Sequence, residues 1–215
     1  MKNRYLILSL LLIVASFGAT LALYGQLPEQ VPLHWNAHGE IDRYGGRGSI
    51  FMMPGMMAFM LALLAVLPKV SPQRFSVDAF SDTYWYCALL IEGLLGCLHG
   101  LIMAGTLDHD FDTGRWLLAT TALFLALLGN VMGKVRRNFW IGVRTPWTLA
   151  NDRVWYATHR LAAKLMVGCS ALAIVAALAN LRLVAVVLLM AGPLVPAVYS
   201  LLYYKRLERS GGLEA

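Results

Sequence analysis

The hydrophobic positions of this chain do not alternate with polar ones over most of its length; they run together. Six mostly apolar stretches, 5–24, 50–70, 83–107, 116–132, 161–181 and 183–203, are separated by shorter polar segments. A hydrocarbon layer about 30 Å thick is crossed by roughly 20 such residues as α-helix. All six qualify or nearly so, the fourth at the lower end of the range. Backbone polar groups must be satisfied inside lipid, and these runs are far too long for barrel strands. The pattern predicts an all-α, polytopic membrane helix bundle of about six transmembrane helices. The first run follows Lys2 and Arg4, as a signal peptide would, but it exceeds the usual apolar length and no cleavage box follows. It reads as a retained span. The last two runs, parted by little more than Arg182, read as a tight helical hairpin.

Composition strengthens this picture. The 215 residues are 59% hydrophobic and 14% charged, with a mean hydropathy of +0.62, against about 45–50% and 25% in soluble domains. A compact soluble fold has too little interior for so much apolar surface. Cys87, Cys97 and Cys169 all fall inside apolar stretches, so no disulfide framework is implied.

Charge changes the picture further. A net charge of +6 and a pI near 9.4 would suggest nucleic acid, until the cations are placed on the spans. With the N-terminus inside, 14 of the 18 lysines and arginines fall on cytoplasmic segments, and only Arg43, Arg47, Arg115 and Arg182 fall outside. This split predicts an N-in/C-in topology for a multi-pass cell-membrane protein. The cations then serve topology and attraction to anionic lipid heads, and nucleic acid drops out as a partner. The expected organisation is 1–70, the first two spans with a proline-rich extracytoplasmic loop at 25–49; 71–132, spans three and four; 133–160, a basic, aromatic cytoplasmic loop; and 161–215, the last hairpin with a short tail.

Two of these segments hold most of the unusual sequence. In the outer loop Pro28 and Pro32 disfavour helix, Asn36, Gly39, Gly45 and Gly46 suit tight turns, and Trp35 and Tyr44 suit the headgroup zone. The loop reads equally as a cap on the bundle and as a recognition surface. In the inner segment Thr145-Pro146 reads as an N-cap followed by proline at the first helical position. Asn151-Asp152 reads as a second helix start leading into the fifth span. Trp140, Trp147, Trp155 and Tyr156 interleave with arginines, which suits anchoring in the interface or a surface for a cytoplasmic protein or lipid heads.

These segments also carry a resemblance. Leu27-Pro28, Pro32, His34, Asn36, Gly39 and Asp42 look like the proline-rich motif of a small membrane domain of unknown function. Gly129-Asn130, Asn138, Gly142, Arg144-Thr145-Pro146-Trp147-Thr148-Leu149, Trp155 and Thr158-His159-Arg160 resemble the signature of the SdpI family. Arg136-Arg137, Val143 and Ala162-Ala163 depart mildly from that pattern. The resemblance implies an immunity protein that protects against a secreted antimicrobial peptide and holds a cytoplasmic repressor at the membrane. By this resemblance His34, Asn36, Gly39 and Asp42 are the expected ligand-binding residues outside. Asn138, Arg144, Thr145, Pro146, Trp147, Trp155, Thr158, His159 and Arg160 are the expected partner-binding residues inside.

Other clusters are weaker. His34, His38 and His109 lie near Glu40, Asp42, Asp108, Asp110 and Asp112, a set that could bind zinc, but the spacing falls in bent loops and no metal or cofactor is assigned. Glu92 and His99, seven residues apart in the third span, share a helical face, and intramembrane ionisable groups are functional candidates. They support the rival expectation, a small transporter or membrane-embedded enzyme. Met52, Met53, Met56, Met57 and Met60 at helical spacing suit adaptable packing better than Cu(I) binding. No motif of nucleophilic or metal-dependent catalysis is present, and the chain is not expected to be an enzyme.

Overall fold

The structure, a computed structural model, describes residues 2–36, 38–108 and 110–213. Seven helices follow one another: α1 (Lys2–Leu23), α2 (Met52–Val66), α3 (Ser81–Leu107), α4 (Thr113–Met132), α5 (Pro146–Ala150), α6 (Asp152–Leu178) and α7 (Arg182–Arg209). All but α5, which is five residues long, belong to helical stretches long and apolar enough to cross a membrane. The chain is a multi-pass membrane protein. Its outward faces agree: Leu10, Leu11, Val14 and Leu21 on α1 and Val187, Leu194, Val198 and Leu202 on α7 are exposed. Such stripes would drive association in water but are at rest in lipid.

The fourth span, short by sequence, gains length because Asp112 caps it; its carboxylate accepts the Arg115 N–H at 3.1 Å. The fifth span starts well before its apolar run. Asn151 accepts the backbone N–H groups of Arg153 and Val154, and α6 then runs for 27 residues, about 40 Å of helix. Its first turns, with Trp155, Tyr156, His159 and Arg160, therefore extend from the apolar stretch into the basic segment.

α3 packs against α1, α2 and α4, while α6 packs on α4 and α7. Close approach in the second group comes from small residues: Ala119, Ala122, Ala173, Ala176, Ala177 and Ala185 form one buried cluster. At Gly129 an added Cβ would lie 2.7 Å from Met166 Cβ. Without a hydrophobic drive between helices in lipid, such backbone contact supplies the attraction. A larger cluster around Tyr84, Trp85, Met132, Val135, Trp155 and Met166 gathers α3, α4, α6 and the basic segment at one end.

The proline-rich loop is not irregular. β1 (Gln30–Trp35) and β2 (Ile41–Gly46) form an antiparallel hairpin. Pro32 is accommodated because the pairing is two-stranded and its register shifts between Pro32 and His34, and proline is tolerated at such edges and bulges. Val31 is fully buried, and Leu27 packs with Ile50 and Met103, so the hairpin rests on the ends of α2 and α3.

Candidate functional site

The hairpin turn is built around Asn36. Its carboxamide oxygen accepts the N–H groups of His38 and Glu40, at 2.9 and 3.0 Å, and its nitrogen donates to Glu40 Oε2. Gly39 turns the chain at a φ of +80°, which a side chain rarely adopts. His34 Nδ1 lies 2.6 Å from Asp42 Oδ1 across the strands, on an exposed face. The four residues expected to bind a ligand thus meet in one hairpin, Asn36 and Gly39 shaping its tip and His34 and Asp42 on its surface.

Arg182 joins that tip to the bundle. Its Nη1 donates to the His38 carbonyl, its Nε to Asn180 Oδ1, and its Nη2 lies 2.9 Å from both oxygens of Asp112. One guanidinium at the start of α7 therefore ties the hairpin to the cap of α4 and the α6–α7 turn. From the sequence Arg182 reads as a separator between spans and as one of four outer cations. Its partners are 70 and 144 residues away, and no local pattern announces such pairings.

At the opposite end of the bundle the basic segment is closely knit. Asn138, fully buried, donates to the carbonyls of Arg136 and Ile141 and accepts from the N–H groups of Trp140 and Ile141. His159 stacks on Trp155 with ring centroids 4.0 Å apart; its Nε2 accepts the Val143 N–H at 3.0 Å, and its Nδ1 lies 2.8 Å from the Trp155 carbonyl. Trp155 Nε1 donates to the Val135 carbonyl. Gly142, at a φ of +110°, passes against the Nε2 edge of the imidazole, leaving no room for a Cβ. α5 opens with a capping box between Thr145 and Thr148, and Thr145 Oγ1 lies 2.9 Å from Ser200 Oγ on α7. Arg137 pairs with Asp152 and donates to the Leu149 carbonyl. Arg136 donates to the Tyr156 hydroxyl, a bond that raises the guanidinium pKa.

This geometry divides the residues expected to contact a partner. Asn138, Trp155, Thr158 and His159 are buried, so they shape the segment from within rather than meet another molecule. Arg144, Pro146 and Arg160 are exposed, with Trp147 and Thr145 half-buried beside them. Arg144 also donates to the Phe139 carbonyl, which fixes where its side chain leaves the surface. Thr148 and Gly142, part of the signature but not of the expected contact set, and Arg137, a departure from it, also hold this shape.

In the bundle interior Glu92 and His99 are both buried on α3. His99 Nε2 lies 2.8 Å from Thr20 Oγ1 on α1, while its Nδ1 and both Glu92 carboxyl oxygens have no hydrogen-bond partner. Among the described residues no three His, Cys, Asp or Glu side chains gather where a metal ion could sit; His109 lies outside the described residues. Of the methionine row, Met57 is fully buried against Ile13 and Leu61, while Met52 and Met56 face outward.

These features define a class: a six-span membrane protein with a docked β-hairpin at one end and a knotted basic segment at the other. Residues 134–204 match the SdpI/YfhL protein family, so the resemblance carried by the 144–149 run holds for this part of the chain. Residues 11–58, which include the hairpin, match a domain of unknown function (DUF1648). The chain is 28% identical over 207 residues to a protein named immunity protein SdpI from Bacillus subtilis (strain 168), covering 95% of this chain and 98% of that one. It is 33% identical over 80 residues to an uncharacterized protein of Archaeoglobus fulgidus, covering 34% of this chain and 44% of that one. No solved structure matches.

Proposed function

We propose that this chain is an immunity protein: it protects the membrane that holds it from an antimicrobial peptide, recognised at the hairpin. The observation that carries the reading is similarity to a protein named for immunity along nearly the whole chain, through both specialised ends. The hairpin suits recognition because it is a rigid, docked element with polar groups on its open face. In this reading the basic end faces the cytoplasm, as the distribution of 14 of 18 cations favours. Arg144, Trp147 and Arg160 then offer a cationic, aromatic surface to a cytoplasmic regulator, and no catalytic step is needed.

Protection is tested by expressing the protein in a sensitive strain challenged with an antimicrobial peptide. Survival should rise with the wild type and fall with a His34→Ala/Asp42→Ala variant that still inserts; equal killing with and without wild type would sink the reading. Orientation is tested separately with Ala150→Cys, at an exposed site on α5, in a background with Cys87, Cys97 and Cys169 replaced by serine. A membrane-impermeant thiol reagent should leave it unmodified in intact cells and modify it after lysis.

A second reading, a small transporter or membrane-embedded enzyme, has one observation in its favour, the buried and unpartnered Glu92 carboxyl. Under it Glu92→Gln abolishes activity and hairpin changes matter little. Under the immunity reading the order is reversed.

A further inference from the structure

A cleft of about 610 Å³ opens at the basic end of the bundle, within the size range of small-molecule sites. One wall is the start of α3 with the turn before it, residues 78–83, which brings the carboxylates of Asp78 and Asp82 and the hydroxyls of Ser81 and Thr83. The other wall follows the end of α4, where Gly133, Lys134 and Arg136 line it, and Tyr156 of α6 completes it. The four charged residues are exposed. Two cations and two carboxylates thus share one cleft, yet among the described residues none pairs with another across it. Asp78 accepts the Ser76 hydroxyl at 2.6 Å and Arg136 donates to the Tyr156 hydroxyl, while the side chains of Asp82 and Lys134 hold no partner among the described residues. The Tyr156 oxygen accepts from Arg136, which leaves its own proton free to be donated. The cleft therefore presents separated charges of both signs that sum to zero.

We propose that this cleft binds the headgroup of an ethanolamine phospholipid, its phosphate against Lys134, Arg136 and the Tyr156 hydroxyl and its primary ammonium against Asp78 and Asp82. The proposal does not rest on the immunity reading. Position selects a lipid. The cleft lies where α3 begins, α4 has just ended and the first turns of α6 pass, at the ends of three helices long and apolar enough to cross a membrane, and basic pockets between such helices meet lipid headgroups. Charge selects the zwitterion. A headgroup with a phosphate and no cation leaves both carboxylates facing like charge, which is unfavourable. A choline headgroup has no N–H to give the carboxylates, and a quaternary ammonium is held instead by aromatic faces. Of the two rings in the lining, Phe80 is buried and Tyr156 already lies under Arg136, 5.9 Å from its centroid.

The test places the full chain in nanodiscs of equal parts phosphatidylethanolamine, phosphatidylcholine and phosphatidylglycerol with identical acyl chains, and counts the lipids retained on the protein by native mass spectrometry. Wild type should retain phosphatidylethanolamine about five-fold over each of the others, the scale that two exposed charge pairs supply together. Asp82→Asn should bring that ratio close to one, and Asp82→Lys, which makes the cleft net positive, should turn the preference to phosphatidylglycerol. Lys134→Ala should retain several-fold less phosphatidylethanolamine. Lys69→Ala, which removes an exposed cation outside the cleft, should retain as much as wild type. All three positions are exposed, so these variants keep the fold, checked by an unchanged thermal midpoint. Equal retention of the three lipids by wild type, a wild-type preference for phosphatidylglycerol (attraction of the whole basic end), a ratio that survives Asp82→Asn, or a like loss in Lys69→Ala would each overturn the proposal. Glycerophosphoethanolamine, the same headgroup without tails, separates the sources. It should not displace the retained lipid; displacement would assign the cleft to a soluble ligand and overturn its assignment to the membrane.

Discussion

His159 accepts the Val143 N–H on Nε2, so the proton on Nδ1 goes to the Trp155 carbonyl and neither ring nitrogen is spare. Its role is to hold the turn at Gly142 against the start of α6. His159→Ala strands the Val143 N–H and empties the space beside Trp155. It should destabilise the protein by about 2–4 kcal/mol, the range of an unpaired buried donor plus a cavity, read as a fall in thermal midpoint in detergent. Gly142→Ala should also destabilise, because its Cβ meets the imidazole and its φ is positive. The two share one cause, so the double variant should lose less than the sum of the singles. Strict additivity would show that Gly142 is needed for its backbone angle alone. Arg144 differs, being exposed. Arg144→Ala should leave stability within about 0.5 kcal/mol of wild type while, under the proposed function, abolishing regulator recruitment, measured by membrane co-sedimentation.

At the scale of elements, the hairpin is held at its base by Leu27 and Val31 and at its tip by Arg182. Removing the guanidinium in Arg182→Ala should free the tip and leave the base. Hydrogen exchange at the His38 to Glu40 amides should accelerate at least ten-fold, with β1 near Val31 still protected; unchanged exchange at the tip would mean that Asn36 holds it unaided. The elements also separate what sequence could reveal from what it could not. The spans were legible because lipid demands uninterrupted apolar runs, and the starts of α5 and α6 were legible because Thr145 and Asn151 cap them from adjacent positions. The hairpin was not: Pro28 and Pro32 argue locally only against helix, and Val31, buried under the strands' docking, gives no sign of that burial in its own neighbourhood. The Arg182 tie and the Thr145–Ser200 contact join residues 144, 70 and 55 apart, and the charge on Arg182 registered only as topology.

Across the whole molecule, α7 and α3 both touch the two specialised ends, α3 through apolar packing and α7 through hydrogen bonds. Arg182 binds the hairpin tip at its start, and Ser200 meets Thr145 of α5, 18 residues later, about 27 Å along the axis. Pro193 and Pro196 lie between them; each lacks a backbone donor, so the helix has a point at which it can bend. A peptide bound at the hairpin can alter the basic end only by favouring one of two bundle arrangements, and a ten-fold shift needs about 1.4 kcal/mol of preference. The Arg182 and Ser200 contacts make α7 one path along which such a preference is tested. The labelling rate of Ala150→Cys at the basic end, followed in inverted vesicles with peptide enclosed, should therefore change several-fold when peptide binds. Ser200→Ala should bind peptide normally and lose the change, since only the far contact is cut. Arg182→Ala should lose the change as well, with weaker binding, because it loosens the recognition element itself. If Ser200→Ala responds as fully as wild type, the signal does not pass through the Thr145–Ser200 contact, and the apolar path along α3 from Met103 to Tyr84 and Trp85 is the one left to test.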